Sequence, residues 1–398
     1  PDLASNYRKM GDIFLLKDQN DTALYYYNRA LHIDTCIIEK NNPAVVEDFL
    51  NRGMAYGQLN DHVRELNDYK SGLAMSETIY GESHPMTAGF YTRIAHNMLS
   101  GPYPDSALFF MKRALEIKKT IYPSRHPGLS SAFKEMGIVL ERTGHPDSAT
   151  IMYNKSLWAN YQGEADNNGI ETSLVIDGPL FASSLIDISR LKYGEYLKTG
   201  NISALRDITI NFDLVKSLTQ SAVSDFLLEE TKIGLLNELS AQTYYGVDAA
   251  YRLFMISGNR EHLFKALEFS ELNKASLLQN LVFRYRDKTN ADIPDSLLYR
   301  RRNLTGYIDY LRMQDKQKKP GSGIHPYRID SLLISLRAVN DTINHYSVTE
   351  KMMSFPSGKE LYDTLIRNIG PRTALISYYA NDTYMVTLVI SHATLIFQ

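Results

Sequence analysis

A spacing of 42 residues recurs in several independent columns over the first third of the chain. Gly11, Gly53, Ala95 and Gly137 keep it, as do Pro43, Pro85 and Pro127, and Ala30, Gly72, Ala114 and Ser156. Columns that share one period define a repeat, and a repeat of this length is a stack of supersecondary units. Each unit buries its apolar face only against its neighbours, so the array presents one long surface. Such a surface suits the holding of a partner better than chemistry.

The spacing inside each unit predicts two helices. Tyr7, Met10, Gly11 and Phe14 fall at offsets 0, 3, 4 and 7, and Ala23, Tyr27 and Ala30 at 16, 20 and 23. Phe133, Met136, Gly137, Leu140, Ala149, Tyr153 and Ser156 repeat those offsets in the fourth unit. Offsets of 3, 4 and 7 place residues on one helix face. Small residues in the Gly11 and Ala23 columns allow the two helices to approach, and large apolar neighbours fill the rest. Asp21, Asp105 and Asp147 are read as N-caps of the second helices, with Pro104 and Pro146 ending the turns before two of them.

Composition removes several classes of function. The net charge is −2 over 398 residues, which gives no electrostatic case for nucleic acid or an anionic membrane. No apolar run approaches the ~18 residues of a membrane helix. Cys36 is the single cysteine, in an Ile-rich helical stretch where a thiol acts as a small hydrophobe. His84 and His126 recur at the repeat period without a second ligand, so a part in the loop between repeats is expected rather than metal binding. No HExxH, nucleophile elbow or phosphate loop is present, so neither catalysis nor a cofactor is expected. A cytoplasmic setting is the working reading, and loss of an upstream targeting segment is compatible with a chain that starts at Pro1.

The seven-column pattern over about residues 4–160 resembles the tetratricopeptide repeat. Units lengthened after the Ala30 column and closed by a His-Pro step are similar to those of the kinesin light chain type. His84-Pro85 and His126-Pro127 carry that step, and Asn42-Pro43 replaces it once. The resemblance implies a mostly α chain, a right-handed α-solenoid whose first helices line a concave groove. The groove positions lie one, five and eight residues after each unit's first column. They are Arg8, Asp12 and Leu15; Leu50, Met54 and Gly57; Thr92, His96 and Leu99; Lys134, Ile138 and Glu141. Arg8, Asp12, Met54, Thr92, His96, Lys134, Ile138 and Glu141 form the candidate partner-binding set, for a protein or peptide. Relatives that grip a peptide's terminal carboxylate use paired Lys and Asn there, and that pairing is absent.

Residues 1–163 are read as four such repeats and 164–283 as degenerate repeat-like helices, with Ala204 and Ala266 as small-residue columns. Residues 284–353 read as a helical hairpin, with stripes Leu297, Arg301, Leu304, Ile308, Leu311 and Ile329, Leu333, Leu336, Ile343 about a polar turn at 316–323. In 354–398, Ser357 and Glu360 form a capping box for a short helix, followed by three β-rich runs expected as an antiparallel meander. Asn381-Asp382 is the expected turn between the first two.

Repeats followed by Glu268-Phe269-Ser270-Glu271-Leu272-Asn273-Lys274-Ala275, a hairpin, then Leu375–Tyr379 and Tyr384-Met385-Val386 resemble the approach to a CHAT domain of the caspase-like cysteine peptidases. That family's catalytic His-Gly and Cys come later in its domain. His392 is followed by Ala393, and Cys36 sits in the repeats, so no peptidase activity is expected of this chain. Two functions follow: a binding scaffold that regulates a caspase-like protein, or an adaptor whose C-terminal strands mediate assembly.

Overall fold

The computed structural model describes residues 2–36, 42–101, 104–163, 170–225, 243–271, scattered positions within 294–342, then 357–368, 374–380, 385–391 and 395–397. The chain divides into two compact units, Pro1–Tyr161 and Gln162–Gln398.

The first unit is four antiparallel helical hairpins. They are α1 (Asp2–Leu16) with α2 (Asn20–Cys36), α3 (Pro43–Gln58) with α4 (His62–Tyr80), α5 (Pro85–Ser100) with α6 (Pro104–Ile121), and α7 (Pro127–Arg142) with α8 (Pro146–Ala159). Each second helix also packs on the first helix of the next hairpin. α1 touches α3 and α5 touches α7, so the odd helices are neighbours along the stack.

The small-residue column is where each hairpin closes. A Cβ built on Gly11, Gly53 or Gly137 would stand 2.5 Å from Cε1 of Tyr27, Tyr69 or Tyr153 respectively. Carbon atoms pack at ~3.5–4.0 Å, so the ring occupies the space a methyl would need. The third hairpin solves the same crossing differently. Ala95 replaces glycine, Met111 replaces tyrosine, and both are buried in one apolar cluster. At the seam between the second and third hairpins the pairing recurs across units: a Cβ on Gly72 would stand 2.4 Å from the Phe90 ring.

The turns inside the hairpins also repeat. Asp18, Asn60 and Gly144, 42 or 84 residues apart, all have positive φ (57°, 59° and 84°). Aspartate, asparagine and glycine are the residues that enter the left-handed region at least cost.

Among the described residues, the second unit holds two further hairpins, α9 (Gly178–Thr199) with α10 (Ile202–Asp225) and α11 (Tyr244–Ser257) with α12 (Arg260–Glu271). Ala204 and Ala266 are buried in their second helices. A tight approach appears here too, since a Cβ on Gly246 would lie 2.6 Å from the Phe212 ring. Helix α13 (Gly358–Asn368) packs on α12, with the Phe264 and Tyr362 rings 5.7 Å apart. Its capping box is reciprocal: the Glu360 N–H donates to Ser357 Oγ at 3.2 Å and the Ser357 N–H donates to Glu360 Oε2 at 2.9 Å.

Strands β1 (Ala374–Ala380), β2 (Met385–Ser391) and β3 (Leu395–Phe397) pair antiparallel in that order. Ala374 faces Ser391, Ala380 faces Met385, and Leu388 faces Phe397. Among the expected hairpin stripe, Leu297, Arg301, Leu304, Ile308 and Leu336 are helical, and Ile308 is buried. Leu311, Ile329, Leu333, Ile343, residues 316–323, Asn381-Asp382, His392 and the 272–275 part of the family-like segment lie outside the described residues.

The expected caps need correction. Asp21 and Asp147 lie within the first turns of α2 and α8, and Asp105 within that of α6. There they complement the helix dipole instead of capping. Pro104 and Pro146 are the first helical residues, a position where the missing N–H is not needed.

Candidate functional site

The loops between repeats are built by the histidines. The Met86 N–H donates to Nδ1 of His84 at 3.1 Å, and the Gly128 N–H donates to Nδ1 of His126 at 2.9 Å. Asn42 does the same with Oδ1 for the Ala44 N–H at 3.0 Å. The imidazole thus substitutes for an asparagine N-cap ahead of a first-position proline. Tyr80 and Tyr122 stack on the two rings at 4.4 and 4.3 Å, four residues upstream in each case. Burial holds the His84 imidazole below its usual range, which keeps Nδ1 free to accept.

The odd helices α1, α3, α5 and α7 carry the candidate partner-binding residues, and the structure sorts them. Arg8 is committed to the interior. Its Nη2 donates to Asp34 on α2 and its Nε to Asp48 on α3, both at 2.7 Å, and both carboxylates are buried. It bolts the first hairpin to the second. The sequence signal for this was Asp48, a charge in a column otherwise filled by Asn6, Phe90 and Ala132.

Two buried carboxylates share that single guanidinium. Among the described residues, Asp48 Oδ2 receives no donor. Burial pushes the Asp48 carboxyl up to about 8, with Arg8 opposing the rise and Asp34 adding to it.

Asp12 accepts from the Tyr27 hydroxyl at 2.8 Å and Glu141 from the Tyr153 hydroxyl at 3.0 Å. Burial, and then Asp12, raise the Tyr27 phenol well above its usual range. Both carboxylates thereby anchor the ring that fills the glycine notch of their own hairpin.

His96 meets Glu135 of the next odd helix at 2.6 Å. Burial alone would raise the Glu135 carboxyl, but His96, Lys134 and Lys118 hold it below its usual range. Asn51 reaches Asp12 at 3.5 Å across the equivalent step, also 39 residues apart. The same bridge between odd helices therefore occurs at the first and third steps of the stack. Glu135 and Asn51 were not among the sequence-based set, since neither belongs to the apolar columns that revealed the repeat.

Met54, Thr92, Lys134 and Ile138 are half-buried on these same helices, as are Leu15, Leu50, Gly57 and Leu99. Among the described residues, no group of three or more His, Cys, Asp or Glu is placed to hold a metal, and no helix is long and apolar enough to cross a membrane.

No family model and no curated protein matches the chain. Solved structures do. A kinesin light chain type protein of Podospora anserina with nearly identical TPR-like repeats is 12% identical, with a TM-score of 0.43, over 54% of this chain and 93% of that one. The apo form of RapI is 12% identical, with a TM-score of 0.44, over 86% and 99%. The Rap conjugation gene regulator of plasmid pLS20, solved with the Phr* peptide, is 12% identical, with a TM-score of 0.39, over 86% and 76%. At these levels the description of the fold rests on the hairpins themselves.

Proposed function

We propose that this chain is a protein- or peptide-binding repeat scaffold, a right-handed solenoid of the tetratricopeptide type. The partner seats on a concave face formed by α1, α3, α5 and α7. The observation that carries this reading is the row of adjacent odd helices, bridged at Asp12–Asn51 and His96–Glu135, with half-buried side chains of mixed character between. Rigid, evenly spaced helices offer an extended ligand contacts at low ordering cost. On this reading the chain performs no chemistry and binds neither nucleic acid nor membrane.

The test uses the full chain as bait with two variants. One carries Met54→Glu, Thr92→Glu and Ile138→Glu; the other carries Tyr25→Glu and Phe109→Glu on the exposed side of the second helices. A partner lost by the first and kept by the second supports the face of the odd helices. The opposite outcome moves recognition to the other side.

The finer proposal is that residues 354–398 begin a CHAT-like α/β domain under control of the repeats. The packing of α13 on α12 through Tyr362 and Phe264 supports a direct link between repeat-like helices and that segment. Reading the coding sequence beyond Gln398 tests it: absence of a His-Gly and a later Cys between strand-forming runs removes the peptidase connection. The adaptor alternative predicts self-association through the strands, and a strict monomer in light scattering at high concentration counts against it.

A further inference from the structure

The outward face of α1 is the counterpart of a face that the next three hairpins bury. Leu3, Met10 and Ile13 occupy the columns of Leu129, Met136 and Val139 on α7. The α7 residues are 6%, 4% and 0% exposed, covered by α6. The α1 residues are 56%, 37% and 46% exposed. The same columns on α5, Thr87, Ile94 and Asn97, are buried beneath α4. Asn6, exposed on the same face, is isosteric with Asp48, which is buried at the α2–α3 seam.

A stripe of Leu, Met and Ile at spacings of 7 and 3 is a poor choice for a solvated face. It is the right choice for one more seam of the kind already seen three times. We infer that the outer face of α1 is a docking surface for the second helix of a further 42-residue hairpin. That hairpin is supplied by the same polypeptide ahead of residue 1. Its chemistry follows from α6, which covers the matching α7 face: an amphipathic helix with a buried Ala-Leu pair, like Ala114-Leu115, at the crossing. The phase is set as well, because Pro1 falls in the column of Pro43, Pro85 and Pro127, each preceded by a capping Asn or His.

The experiment grafts residues 85–126, one complete unit ending in its own capping His126, directly ahead of Pro1 of the full chain. The substitution Ile13→Lys is then made in the grafted and ungrafted chains, with Val139→Lys as the reference for a covered position. The expected result is a raised denaturant midpoint on grafting. Ile13→Lys should leave the ungrafted midpoint unchanged and lower the grafted one as far as Val139→Lys does. Equal insensitivity to Ile13→Lys in both chains overturns the inference. So does an ungrafted chain that sediments as a dimer and is returned to monomer by Ile13→Lys, which assigns the face to a second copy. The upstream coding sequence gives an independent reading: absence of an in-phase helical pair with a small residue 42 positions before Ala30 also overturns it.

Discussion

The exchange of Gly–Tyr for Ala–Met in the third hairpin allows the packing argument to be tested by transplant. In the second hairpin, Gly53→Ala places a methyl 2.5 Å from Tyr69 Cε1. The contact must open by about 1 Å to reach a normal carbon separation. Overpacking of this kind costs ~1–3 kcal/mol, and the better helix propensity of alanine returns about 1 kcal/mol. A net loss of about 1–2 kcal/mol is expected. Tyr69→Met alone removes a buried ring, and a loss of ~2–4 kcal/mol is expected. The double variant recreates the Ala95–Met111 solution. The alanine methyl then enters space the ring has left, so the two losses should fall short of their sum by about 2 kcal/mol. The assay is equilibrium urea unfolding of the four proteins, compared by midpoint at constant slope. Losses that add to within ~0.5 kcal/mol would refute the notch-and-ring account. So would a Gly53→Ala variant as stable as the parent.

Asp48→Asn keeps the acceptor for Arg8 and removes the titrating carboxyl. Because burial raises the Asp48 carboxyl from 3.8 to about 8 in the fold, its stabilising protonated form is complete below about 4 and is lost as pH rises through about 8. The variant should therefore match the parent in urea at pH 4 and exceed it at pH 8.5 by at least about 1.4 kcal/mol, the value of one pKa unit. Arg8→Met leaves both buried carboxyls without their cation, and a loss of ~3–5 kcal/mol is expected in the same assay. His84→Asn should preserve the α5 cap while His84→Ala loses ~1 kcal/mol in thermal unfolding. Burial depresses the His84 imidazole, so its contribution is present above 6.5 and disappears as pH falls through the lower folded value. The asparagine variant should lose that part of the acid sensitivity, read as a flatter melting temperature between pH 7 and 5.

The hairpins were legible because their constraints are local and periodic. Gly11 and Tyr27 stand 16 residues apart in one hairpin, and the same interval separates Gly53 from Tyr69 and Gly137 from Tyr153. The part played by His84 and His126 in the loops was legible for the same reason, through their place before proline. The placement of the candidate binding set was only partly legible. Column position cannot distinguish Arg8, drawn inward by two buried carboxylates, from Met54, which stays half-buried on the same face. Asp34 and Asp48 lie 26 and 40 residues from Arg8, a separation that only the stacked fold brings together. The displaced caps have a similar cause. In α6 and α8 the proline and the acid two residues before the small column both favour a helix start, and the proline, with φ already fixed, sets it.

The seams differ from the notches in one respect that governs how the array can change. A notch and its ring travel together when a hairpin is copied or lost. Gly72 and Phe90 belong to different hairpins, so the ring that one unit presents must find the hollow that the preceding unit provides. Removal of residues 43–84 would bring Phe90 against Ala30, a position with a methyl already in place. The hairpins are therefore not beads of one shape: their order along the chain is written in the volumes at their junctions.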